Sequence, residues 1–180
     1  MARTFIITFI GDDRPGLVEA LSEVISDQGG NWLESRLSQL AGKFAGLISV
    51  SLPDSQGDAL QAALAGLASA GISVRVTPCD PQNPIETQEH LITLSALGPD
   101  RPGIVREVSA ALSKRSINVV NMETHVAPAP MSSEPLFEAR IEASLPAGTD
   151  LEDLHDTLDT IADEMHMDIT LDDLTPAQLP

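Results

Sequence analysis

The sequence predicts an α+β protein in which one βαββαβ unit is built twice in tandem. Three observations predict it. The run Gly11-Asp12-Asp13-Arg14-Pro15-Gly16-Leu17-Val18 returns as Gly98-Pro99-Asp100-Arg101-Pro102-Gly103-Ile104-Val105, a shift of 87 residues. The same shift carries Phe5, Ile7 and Phe9 onto Ile92, Leu94 and Ala96, and Leu17, Leu21, Val24 and Ile25 onto Ile104, Val108, Ala111 and Leu112. At the repeated turn the apolar period changes from two to about 3.6, the mark of a strand feeding a helix.

The elements follow in order. The first strand covers residues 4–10, and 89–97 in the second copy, and ends at Asp-Arg-Pro-Gly. Asp13 and Asp100 suit the helix N-cap or the N′ position before it, and Pro15 and Pro102 suit the first helical turn, where a missing N–H costs nothing. Gly29-Gly30 ends the first helix. Asn31 and Asn118, identical under the shift, open the second strand. The third strand is clearest in copy two. There Phe137, Ala139, Ile141, Ala143 and Leu145 alternate with Glu138, Arg140, Glu142 and Ser144, so one face is wet. The second helix carries Leu151, Leu154, Leu158, Ile161 and Met165 on one stripe, with residues 58–70 as its counterpart. Residues 72–76 and the alternation around Met167, Ile169 and Leu171 close the two sheets.

One-sided strands with two amphipathic helices predict a four-stranded antiparallel sheet covered on one face, the ferredoxin-like arrangement. The expected division is a first domain over 1–79, a linker over 80–88 and a second domain over 89–180. Pro78, Pro81 and Pro84 block regular structure around the linker. The second copy also carries a longer, Pro-rich hairpin at 127–135, where the first has only Ala41-Gly42-Lys43.

Composition narrows the function classes. Of 180 residues, 42% are hydrophobic but only 3% aromatic, with one Trp and no Tyr, so the cores are aliphatic. The net charge of −17, with 10 Lys and Arg, opposes direct nucleic-acid binding, which depends on cations displacing counterions from phosphate. It opposes an anionic membrane surface for the same reason. No apolar stretch approaches the ~20 residues that span a bilayer. The lone Cys79 has no disulfide partner. The cytoplasm is the expected compartment.

Asp-Arg-Pro-Gly at the first strand-to-helix turn of a βαββαβ unit, followed by Asn at the start of the second strand, resembles the ACT domain. Two such units filling 3 to about 173 resemble, in layout, the glycine cleavage system transcriptional repressor group. The resemblance implies that a small amino acid, glycine among the candidates, binds at the first turn and the start of the second strand, often between adjoining modules. Carried over, the positions are Asp13, Arg14, Gly16 and Asn31 in copy one, and Asp100, Arg101, Gly103 and Asn118 in copy two. It also implies action through a protein partner, such as a transcriptional activator, without DNA contact. Such modules commonly pair edge to edge, so edges and helix faces are expected to match within the chain or across a homodimer, and a homodimer is the expected assembly.

The chemistry of these residues suits a zwitterion. A helix N-terminus offers free N–H groups and partial positive charge to a carboxylate. Glycine leaves the backbone bare for close approach. Asp13 or Asp100 would receive the ammonium group, and Asn31 or Asn118 offers both a donor and an acceptor. The same four residue types are also simply good turn chemistry, and Asn often precedes a strand for that reason alone.

Other candidates reduce to structure. Asp150, Glu152, Asp153, Asp156, Asp159, Asp163 and Glu164 lie opposite the Leu stripe and lack a calcium-loop pattern, so they read as a solvated helix face. His90, His125, His155 and His166 have no metal spacing. Met165 and Met167 feed the core at a helix-strand junction. Trp32 is read either as core or as lining a module interface, with the interface preferred. No phosphate loop, dinucleotide fingerprint or nucleophile elbow occurs, so no cofactor, metal or catalytic activity is expected. Two readings remain: an amino-acid-responsive regulator in which ligand favours one packing of the modules, or a stand-alone subunit controlling a metabolic enzyme.

Overall fold

Phe5, Ile7 and Phe9 all fall on one side of the first strand and are almost fully buried, so this strand is the spine on which the first core is laid. The computed structural model describes residues 2–79, 90–130 and 133–173, and the chain divides into two compact units, Met1–Pro84 and Ile85–Pro180. The first runs β1 (Ala2–Asp12), α1 (Leu17–Asp27), β2 (Asn31–Leu40), β3 (Lys43–Pro53), α2 (Gly57–Ala65) and β4 (Ile72–Pro78). The second runs β5 (His90–Pro99), α3 (Ile104–Lys114), β6 (Asn118–Pro128), β7 (Pro135–Leu145), α4 (Leu151–Met165) and β8 (Asp168–Asp173). Each forms one four-stranded antiparallel sheet, ordered β2-β3-β1-β4 and β6-β7-β5-β8. This is the expected α+β fold.

Each core is one sheet face closed by two helices. Leu17, Leu21 and Ile25 of α1 and Leu60 and Leu64 of α2 meet Phe5, Ile7, Ile48 and Val50. Ile104, Val108 and Leu112 of α3 and Leu154 and Leu158 of α4 meet Ile92, Leu94, Ile141 and Ala143. Trp32, expected at an interface, packs half-buried against the first core.

Several local expectations are corrected. Helices α1 and α3 start at Leu17 and Ile104, after both prolines, and the cap positions are Gly16 and Gly103 with no side-chain bond. Asp13 and Asp100 do not cap: their backbone N–H groups donate to Gly42 O and Pro135 O, both at 2.9 Å. The helix expected over 58–70 is α-helical only to Ala65 and tightens into a 3-10 segment, Gly66–Ala70. Gly66 costs about 1 kcal/mol in a helix, and Ser69 Oγ donates to Gly66 O at 3.0 Å instead of leaving the backbone undisturbed. Pro78, read as linker, completes β4, and Cys79 N–H donates to Thr4 O. The expected linker 80–88 lies outside the described residues. Ser144, expected wet, is buried, as is Thr93 on the neighbouring strand β5.

The sheet edges are treated alike in the two units. β2 and β6 each carry a bulge, at Leu33 and Val120, positions related by the 87-residue shift and both exposed. Each bulge adds local twist near the start of its strand and leaves Glu34–Leu40 and Asn121–Pro128 in regular pairing with β3 and β7. On the opposite edge, Gln61 Oε1 accepts the Val76 N–H of β4 at 2.8 Å.

Candidate ligand-binding turns

Each β-to-α turn ends in a glycine that only glycine serves well. Gly16 has φ +85° and Gly103 φ +106°, left-handed backbone that a Cβ strains. Around both positions a Cβ would stand in open space, apart from Glu19 Oε2 at 3.8 Å from the site on Gly16. The backbone is therefore bare on its outward side. The first intrahelical N–H to find its acceptor is that of Ala20, to Gly16 O at 2.9 Å, and in the second unit that of Glu107, to Gly103 O at 3.0 Å. The N–H groups of Leu17, Val18 and Glu19, and of Ile104, Val105 and Arg106, have no intrahelical acceptor, and among the described residues no side chain caps either helix start.

In the first unit this helix start opens into a hollow of about 350 Å³ lined by Asp13, Arg14, Gly16, Val18, Glu19 and Phe44, among others. The turn side chains expected to act together thus share one space. Phe44, tilted against Phe9 at 5.9 Å between ring centroids, makes its aromatic wall. Arg14 does not hang free in it. Its Nη2 donates to Ala70 O at 3.0 Å, and Arg101 Nη2 repeats this to Glu164 O at 3.1 Å. Arg101 is half-buried, and its Nε–H finds no acceptor among the described residues.

The two turns differ in charge, which inspection of the repeated motif alone misses. Glu19, in the first turn of α1, is matched under the 87-residue shift by Arg106 in α3. Arg106 pairs with Glu107 at 2.6 Å. The rims differ as well. Asp12 accepts from Lys43 Nζ, and that bond, with the lysine's charge, holds the Asp12 carboxyl below the usual carboxylate range. At the matching place in the second unit Pro99 faces Leu136. The signal was available in the sequence, because the shift that aligns the glycines also aligns Glu19 with Arg106.

Asn31 and Asn118 are not brought to these turns within their own units. Asn31 pairs with Ser51, which pairs with Thr4, at the far end of β1 from Asp12. Asn118 pairs with Ser144, which pairs with Leu91, at the far end of β5 from Pro99. Eight residues of strand separate the two levels, about 27 Å at the usual rise. Both asparagines are exposed on the β2 and β6 edges.

The remaining candidates settle into the framework. Asp150 caps α4, accepting from Glu152 N–H and Asp153 N–H, and Asp153 pairs with Arg115, the residue that follows α3. The rest of that acidic run is exposed. The four histidines are all exposed, and among the described residues no three His, Cys, Asp or Glu gather as metal ligands. No helix among them is long and apolar enough to cross a membrane.

Comparison with known proteins agrees with this architecture. Models of the ACT domain match residues 3–77 and 92–159. No curated protein matches by sequence. A solved structure of an unknown protein from Galdieria sulphuraria is 28% identical, with a TM-score of 0.86 over 97% of this chain and all of that one. A solved structure described as a "putative glycine cleavage system transcriptional repressor" is 18% identical, with a TM-score of 0.71 over 96% of this chain and 97% of that one, and it shares the fold. ACT domains are small-ligand-responsive regulatory modules, and this chain belongs to the ACT-domain family as two such domains in tandem.

Proposed function

We propose that this protein is an amino-acid-responsive regulator, of the glycine cleavage repressor type, that acts by contacting another protein and not nucleic acid. The observation that carries the reading is the pair of uncapped helix starts, each beside a left-handed glycine with open space outside it. In the first unit that start faces a hollow holding both carboxylates and a guanidinium. A carboxylate fits the free N–H groups. An ammonium group fits Asp13 and Glu19 in the first domain and Asp100 in the second. Because Arg106 replaces Glu19, the two sites are inequivalent, and the second is the more tolerant of anionic ligands.

The positions of Asn31 and Asn118 support a dimer. If two β2 edges align antiparallel, the start of each strand lies beside the end of the other, the level at which the other domain's turn sits. A complete site of turn plus Asn then takes one domain from each of two copies. The net charge of −17 supports a protein partner over DNA.

The test is isothermal titration of the full-length chain with glycine and the other common amino acids, followed by affinity capture with and without the ligand found. Binding that Asp13→Asn or Asn31→Ala weakens about tenfold or more supports the site, and ligand-dependent capture of a transcription factor supports the role. Absence of heat with every amino acid removes the ligand reading, and capture of a metabolic enzyme replaces the transcriptional one.

A further inference from the structure

We propose that Arg14 and Arg101 are positioning residues that deliver the state of each β-to-α turn to the C-terminal end of the same domain's second helical segment. The two arginines are equivalent under the 87-residue shift, and both precede the helix their turn opens and bond to a different helical segment. Arg14 Nη2 donates to Ala70 O, the last residue of the 3-10 segment Gly66–Ala70. Arg101 Nη2 donates to Glu164 O in the last turn of α4. The same link has been made twice, although the two acceptors are not at matching sequence positions: one segment ends at Gly71 and the other at His166, both in left-handed backbone. What is preserved is the target, a carbonyl left over at a helix end, where a cation is favoured.

The turn is thus held on two sides. On one, the backbone N–H of Asp13 or Asp100 is tied to the β2–β3 or β6–β7 hairpin. On the other, the guanidinium is tied to the helix end. Arg14 also lines the turn hollow, so one planar group faces both the space a ligand would fill and the carbonyl it holds. At the first-domain helix end Leu67 packs half-buried against the core, while Gly66, Ala68, Ser69 and Ala70 are exposed. A change at the turn therefore moves that end more readily than the packed sheet behind it. The face presented by the end of the second helix becomes the one that differs between states. The inference rests on the proposed ligand reading only for what moves the turn; the link itself is independent of any ligand.

The test is a double-mutant cycle on the full-length protein, read by amide hydrogen exchange and chemical shift at Gly71, whose N–H donates to Ala68 O at 3.0 Å. Gly16→Ala perturbs the turn. It is expected to shift the Gly71 amide and speed its exchange roughly tenfold when Arg14 is present, and to leave it unmoved in the Arg14→Gln background. Gly103→Ala with Arg101→Gln, read at Met167 N–H, repeats the cycle in the second domain and serves if the first variant does not fold. Arg14→Lys, which retains charge and reach without the fork, restores part of the coupling. An equal response at Gly71 with and without Arg14, or no response with Arg14 present, overturns the proposal. Glycine titration of the same labelled protein separates the two readings: coupling in the cycle with no response to glycine or any other amino acid leaves the arginine link standing and removes the ligand.

Discussion

At the scale of single residues, the glycines and charges at the turns do different work. Gly16 and Gly103 are required by φ and not by crowding, so substitution tests strain alone. Gly16→Ala is expected to destabilise the first domain by about 1–2 kcal/mol in urea unfolding, the usual cost of left-handed backbone for an L-residue. Asp12 offers a second check. Its hydrogen bond to Lys43 lowers its pKa, so Lys43→Met should return the Asp12 titration, followed by carboxyl NMR shifts, towards the ordinary value. The sign for stability follows from linkage: a depressed carboxyl pKa contributes above the unfolded value and is lost as pH falls through the folded one. The contribution therefore holds at neutral pH and disappears in acid. Asp13 and Asp100 show how far a single residue can be read: both are good caps by type, yet the left-handed glycine three positions later takes the cap, and their backbone N–H groups bond to Gly42 O and Pro135 O.

Among the helices of the described residues, α4 is the one whose N-terminus is capped by a side chain. Asp150 accepts from two N–H groups at 3.0 and 3.2 Å, so Asp150→Ala should cost the second domain about 1 kcal/mol, measured as a shift of its unfolding midpoint. Its apolar stripe was legible because Leu151, Leu154, Leu158 and Ile161 repeat at helical spacing. The helix after β3 was legible as a helix but not as two kinds of helix, because Gly66 and Ser69 act through local hydrogen bonds that periodicity does not register. The bulges at Leu33 and Val120 were likewise invisible in the sequence: a bulge is a property of two paired strands, and neither strand alone carries it.

For the whole molecule, charge and repetition set the expectations. With Asp and Glu at 27 against 10 Lys and Arg, fluorescence anisotropy with duplex DNA at low salt should show no saturable binding, where a basic regulator of this size would bind. Tight binding under those conditions would overturn the protein-contact reading. The duplication gives the residues of one turn counterparts 87 residues away, and the departures from that match, Glu19 against Arg106 and Asp12 against Pro99, are where the two domains differ in what they can accept; across the sheet Asp12 faces Lys43, whereas Pro99 faces Leu136.

The sequence by itself determined the twofold fold, the order of its elements, its cores and the place of both turns, because hydrophobic period and turn chemistry are local and were written twice. Tertiary structure alone decided which side chains meet. It moved Asn31 and Asn118 to the far end of the sheet, since strand register depends on pairing between segments distant in the chain. It also turned Arg14 and Arg101 towards helix ends 56 and 63 residues away, because an unpaired carbonyl becomes a partner only once folding has brought it within reach.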